Sequence, residues 1–253
     1  MTSTTTPAHA CAASSLLAPL LDSRPRALVE AARTRLSVHY ETGDPRLPVL
    51  SVGTADAVRL PNALVSPALP RPGTVTVGHG MLSTTDATWR PRRWWDPPRP
   101  SGLAPPPHPD VPTAGTRTVR VSGGPAVPRS YDGLVPVVLL GAGPGLTPSG
   151  DDFLAGALVT AHATDDPRLA AWRRETSKAL ATRRTTVVSR ALLHHALDGY
   201  ATPELADALT AICSGGDPSP VVDRLLTVGH TSGAALLAGV LHTLTTRTLR
   251  GAA

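Results

Sequence analysis

Aromatic side chains are scarce in this chain. They make up 3% of 253 residues, and phenylalanine occurs once, at Phe153. Leucine, valine and alanine must therefore fill any core, and the 41% apolar content is enough to build one. Cysteine occurs twice, at Cys11 and Cys213, with no C-x-x-C pair. That excludes a zinc site of paired thiolates and argues against a disulfide framework, as expected in a reducing cytoplasm. Lysine occurs once, at Lys178, so the formal charge of +5 is carried by arginine. The arginines are scattered and form no run interleaved with aromatics, so nucleic acid is not the expected partner. No stretch reaches the roughly 20 apolar residues needed to span a bilayer. The N-terminus lacks the basic region of a signal peptide. No membrane association is expected, and the expected location is cytoplasmic.

The texture of the chain changes along its length. Residues 1–14 are Thr- and Ala-rich and read as a frayed tail, and residues 15–34 read as a helix broken near Pro25. From residue 35 come short apolar or alternating runs, LSVHYET, PVLSVG, AVRL, NALVS, TVTVGHGML and ATWRP, punctuated by Gly and Pro. This is the pattern of short strands in an antiparallel or barrel-like sheet. Residues 91–112 carry nine prolines, which excludes regular helix and central strand and marks a linker or long surface loop. Leu134–Leu140 is a continuous apolar run that reads as a buried strand, and beyond residue 150 the periodicity is helical to the end. The fold expected is α+β: a β-rich, barrel-like N-terminal part and a helical C-terminal part, joined by the Pro-rich segment and a strand–Gly-loop–helix. The expected division is 1–34 tail and helix, 35–96 β-rich region, 97–130 Pro-rich linker, and 131–253 Gly-loop and helices.

The chemistry concentrates in Gly141–Phe153, GAGPGLTPSGDDF. Glycines allow positive φ and close approach of a ligand, and a helix N-terminus offers unpaired N–H groups and partial positive charge. Together they make an anion site, to which Thr147 and Ser149 add hydroxyls. Gly145–Gly150 has P-loop spacing, but Asp151 stands where lysine is required and Asp152 where Ser or Thr is required, so a P-loop is rejected. A dinucleotide loop fails too, because Gly141-x-Gly143 is not completed three residues on. Two carboxylates beside an anion cradle make sense if a metal joins them. Asp151 or Asp152 is expected either to hold Mg²⁺ against a phosphoryl or carboxyl ligand or to act as a general base. The structural alternative is that Ser149 caps a helix whose first turn favours acids. Two further polar clusters, Thr185-Thr186-Val187-Val188-Ser189 and Gly229-His230-Thr231-Ser232-Gly233, lie at expected helix starts, where capping alone accounts for hydroxyls. His194 and His195 are adjacent, face apart on a helix and cannot chelate one metal in the usual way.

The string GAGPGLTPSGDDFLAG, followed by TTVVS and by GHTSG before the last helix, resembles the family of the AllH-type subunit of oxamate carbamoyltransferase. The resemblance covers roughly residues 35–247 and is strong over 140–247. It implies a subunit of a multi-subunit enzyme that interconverts oxalurate and phosphate with oxamate and carbamoyl phosphate, or a related carboxylase-like transferase in purine or allantoin catabolism. By resemblance, the catalytic candidates are Asp151, Asp152, Thr185, Thr186, His230 and Ser232. The ligand-binding candidates are Gly143, Gly145, Leu146, Thr147, Ser149, Gly150, Ser189 and Gly233. Asp151 and Asp152 are the Mg²⁺ candidates. The partners implied are other enzyme subunits and a small anion, such as carbamoyl phosphate or a carboxylate. The alternative reading is a non-catalytic metabolite-binding or regulatory subunit that docks through Trp94-Trp95 and the polyproline stretch.

Overall fold

The structure is a computed structural model that describes residues 7–106 and 135–251, with the side chains of 248–251 excepted. The chain divides into two compact units, Met1–Pro97 and Pro98–Ala253.

The first unit is a closed barrel of eight strands. In chain order they are β1 (Ala8–Ser14), β2 (Arg26–Arg33), β3 (Ser37–Glu41), β4 (Val49–Gly53), β5 (Ala63–Val65), β6 (Val75–Gly78), β7 (Met81–Ser83) and β8 (Thr88–Trp95). The order around the barrel is β1-β5-β4-β3-β2-β6-β7-β8, and a parallel β1–β8 pairing closes it. Only that pair and β4–β5 are parallel. Side chains fill the interior, as in other small barrels. Val38, Tyr40, Leu50, Val52, Leu64, Val75, Val77, Leu82 and Trp89 meet there. The imidazole of His39 is satisfied between Ser51 Oγ at 2.9 Å and Ser37 Oγ at 3.0 Å. The β6–β7 hairpin turns on His79 and Gly80, both with positive φ, the requirement of the tight two-residue turn whose twist matches the strands.

Four expectations fail in this unit, the last being that the prolines from residue 91 exclude a central strand. Residues 8–14 are not a frayed tail but β1, hydrogen-bonded on both sides. The helix expected over 15–34 shrinks to a 3-10 turn at Ser15–Leu17 and one α turn, α1 (Ala18–Leu21), while 26–33 is strand β2. The sequence RALVEAAR has good helix propensity, but pairing with β3 and β6 outweighs it. AVRL forms no strand. Pro91 lies inside β8 despite its missing N–H. β8 pairs with β7 only at Thr88 and Trp89, and on the β1 side a register shift follows Pro91.

The second unit is helical. Its elements are α2 (Pro136–Leu139), α3 (Ser149–Ala163), α4 (Leu169–Thr182), α5 (Val187–Leu197), α6 (Pro203–Cys213), α7 (Ser219–Leu226) and α8 (Ser232–Gly251). The strand expected over 134–140 is instead helix α2. Pro136 sits at its start, where the absent N–H costs nothing, and Val137 and Val138 point to solvent. The glycine loop therefore joins two helices.

Helix α3 is the axis of this unit, and every residue of it except His162 is buried. It crosses α8 at very short range. A Cβ on Gly156 would fall 2.2 Å from Leu236 O, and one on Gly239 would fall 2.1 Å from Phe153 O. An ion pair locks the α3–α4 turn onto α8. The side chain of Asp166 is fully buried and lies 2.6 Å from the Arg168 guanidinium, which also donates to Thr243 O at 3.0 Å.

Part of the Pro-rich segment is fastened to this unit. Ala201 N–H donates to Pro98 O, Leu103 N–H to Ala163 O, and Arg99 Nε to Asp198 O at 2.7 Å. The rest of the expected linker, 107–130, lies outside the described residues.

Candidate functional site

The loop between α2 and α3 is shaped by Gly141 and Gly143, with φ of 73° and 114°. A Cβ at either would be strained by φ and would crowd backbone: Arg184 O at 2.8 Å from position 141, Ser149 N at 3.0 Å from position 143. Gly145 also has positive φ but faces open space beside exposed Pro144 and Leu146. Gly150 and Gly233 serve packing. A Cβ would sit 2.0 Å from Leu139 O in the first case and 1.9 Å from Leu225 O in the second.

Three sequence blocks converge here. Thr185 Oγ1 donates to Asp151 Oδ2. Thr186 Oγ1 donates to Leu146 O at 2.5 Å and also caps α5 by accepting from Ser189 N–H. From the third block, Ser232 Oγ lies 2.8 Å from Thr147 Oγ1, and Thr231 Oγ1 accepts from Ser149 Oγ at 3.3 Å. Thr231 was not among the expected site residues. Its signal, a hydroxyl at a helix start, reads equally well as a cap. His230 is exposed and makes no side-chain hydrogen bond among the described residues. Ser189 Oγ is buried near Asp151 without closing a hydrogen bond of good geometry.

The two aspartates are both buried, at 0% and 1% exposure, yet they differ in kind. Asp151 has both carboxylate oxygens engaged, Oδ1 by Gly141 N–H at 2.8 Å and Oδ2 by Thr185. Burial raises its pKa, and these donors with the nearby Ser189 hydroxyl pull against the rise. Asp151 is the pin that holds the loop to the α4–α5 connection. Asp152 Oδ2 closes no hydrogen bond of good geometry, although the Ser232 and Thr147 hydroxyls lie near the carboxyl. Burial pushes the Asp152 carboxyl up to about 7, against the hydroxyls of Ser232 and Thr147, and the Asp151 charge adds to the rise. An unpartnered buried carboxylate oxygen is costly unless the site uses it. Mg²⁺ finds a limited donor set. Among the described residues no group of three or more His, Cys, Asp or Glu is placed to hold a metal. Asp151 already accepts one hydrogen bond on each oxygen, which leaves one lone pair on each.

Every one of these residues falls inside one matched segment. Residues 139–244 match the family model described as oxamate carbamoyltransferase subunit AllH. The AllH resemblance drawn from the motifs thus holds for the glycine loop, both hydroxyl blocks and the helices that carry them. The AllH match does not extend into the barrel. No solved structure matches the chain. No helix among the described residues is long and apolar enough to cross a membrane.

The docking surface expected at Trp94-Trp95 is divided. Trp94 is half exposed, whereas Trp95 has a buried Nε1 and lies under Arg59.

Proposed function

We propose that this chain is a subunit of a carbamoyl-transferring enzyme, and that the 141–150 loop with Asp152 forms its ligand site. The observation that carries this reading is the buried, unpartnered Oδ2 of Asp152, in a loop tied to both other sequence blocks. The AllH match supports the reaction class. In the direction from carbamoyl phosphate, the amide nitrogen of oxamate attacks the carbamoyl carbon. The carbon–oxygen bond to phosphate breaks, phosphate leaves with the electron pair, and the nitrogen's proton passes to Asp152. A carboxylate with a pKa of about 7 suits proton transfer at neutral pH. The loop amides of Gly143, Gly145, Leu146 and Thr147 hold the phosphate as fixed dipoles, since those of Gly150, Asp151 and Asp152 at the start of α3 already donate to Ala142 O and Pro148 O. Thr147 and Ser232 orient the acceptor. Were Mg²⁺ bound, the Asp151–Asp152 pair would hold it, and it would neutralise phosphoryl charge.

The test is Asp152→Asn assayed with its partner subunits for conversion of carbamoyl phosphate and oxamate to oxalurate and phosphate. The rate should fall by about 10²-fold or more with the fold intact. Full activity in the variant would contradict the assignment.

A further inference from the structure

Residues 183–186 cross the glycine loop and are pinned to it by backbone and side chain. Arg184 O packs against Gly141, Thr185 holds Asp151, and Thr186 holds Leu146 O. The two arginines that open this connection are exposed, and neither side chain has an ion-pair or hydrogen-bond partner among the described residues. They stand apart in this. Every other arginine of the helical unit whose side chain is described is engaged with a carboxylate, a carbonyl oxygen or both. Arg190, one turn into α5, is itself spent on Leu180 O at 2.9 Å, so it is not a free cation either.

We propose that Arg183 and Arg184 are the cationic contact for a phosphoryl group bound at the glycine loop. This rests on the reading of the loop as an anion site, and it assigns the charge which that site otherwise lacks. Amide dipoles can cradle a phosphate, but the only charged groups in the loop's first helical turn are Asp151 and Asp152. Full cations must come from elsewhere, and the 183–186 connection brings two to the loop's edge. A planar guanidinium donates two parallel hydrogen bonds to a phosphoryl face, which the amides do not. Because the connection is fixed through Asp151, the same pin that shapes the loop also sets where these cations start.

The experiment is calorimetric titration of the full chain with inorganic phosphate at low and moderate chloride. The proteins compared are wild type, Arg183→Ala/Arg184→Ala, the corresponding double Lys variant, and Arg224→Ala as a control on α7. The double Ala variant should bind phosphate about tenfold more weakly or worse, with a shallower salt dependence. The Lys variant should recover part of the affinity, and Arg224→Ala should match wild type. Phosphate binding by wild type and double Ala variant alike would overturn this proposal and leave the loop reading standing. Failure of wild type to bind phosphate would overturn both.

Discussion

Asp151 and Asp152 are neighbours in sequence and opposites in role, because successive residues on a helix face different directions. Asp151 meets donors on both oxygens, so its removal should cost stability. Thr185→Val, which deletes the hydroxyl donor but keeps the shape, should destabilise the helical unit by about 2 kcal/mol in urea unfolding. Asp152 should behave the other way. Its folded pKa of about 7 lies above the ordinary 3.8. Below pH 4 both folded and unfolded forms are protonated and the residue costs nothing. As pH rises from about 4 to about 7, the unfolded chain gives up its proton first, so stability falls, and above 7 the full penalty applies. Asp152→Asn should therefore be more stable than wild type at pH 8, by a margin that shrinks at pH 5. Thermal unfolding at the two pH values checks it. The residue types of the site were legible in the sequence. Which aspartate is free was not, because that depends on Gly141 N–H and Thr185, which only the folded chain brings to Asp151.

At the scale of elements, small residues decide how closely helices pass. Alanine is a better helix former than glycine by about 1 kcal/mol, so Gly156→Ala would stabilise an isolated α3. Here a Cβ would fall 2.2 Å from Leu236 O, and that obstacle is backbone. Gly156→Ala should destabilise the unit by about 2 kcal/mol or more, measured by urea unfolding. The burial of Asp166 against Arg168 predicts a comparable sensitivity. Arg168→Ala leaves a carboxylate buried without its partner and should cost about 3–5 kcal/mol. That the chain beyond residue 150 is helical was legible from periodicity, and α3 to α8 bear it out. Two elements were not. In 26–33 the local preference is helical and barrel pairing overrides it. In 134–140 the apolar run lacks any period that separates strand from a short buried helix.

For the whole molecule, the α+β reading held: strands come first and helices follow. The barrel-like character was legible in the short strands, but the parallel β1–β8 seam that closes it was not, because pairing between residues 80 apart leaves no local mark. Each unit contains a histidine held neutral by burial, His39 with a pKa of about 4 in the barrel and His195 with about 3 in the helical unit. Both are depressed below the ordinary 6.5, so the unfolded chain takes up protons first as pH falls through 6.5. Stability from these groups is full above that value and declines towards pH 4. Unfolding at pH 7 and pH 5 should show both units weakened at the lower pH, with the slope reduced in His39→Gln for one and His195→Gln for the other.

The central claim is that the glycine loop and two hydroxyl blocks form one ligand site around Asp152. Isothermal titration of the full chain with carbamoyl phosphate, with and without Mg²⁺, tests it most directly, with wild type set beside Asp152→Asn. Wild type should bind saturably with Mg²⁺ present, and Asp152→Asn should weaken that binding at least about tenfold. Equal binding by both proteins, or none by wild type, would contradict it.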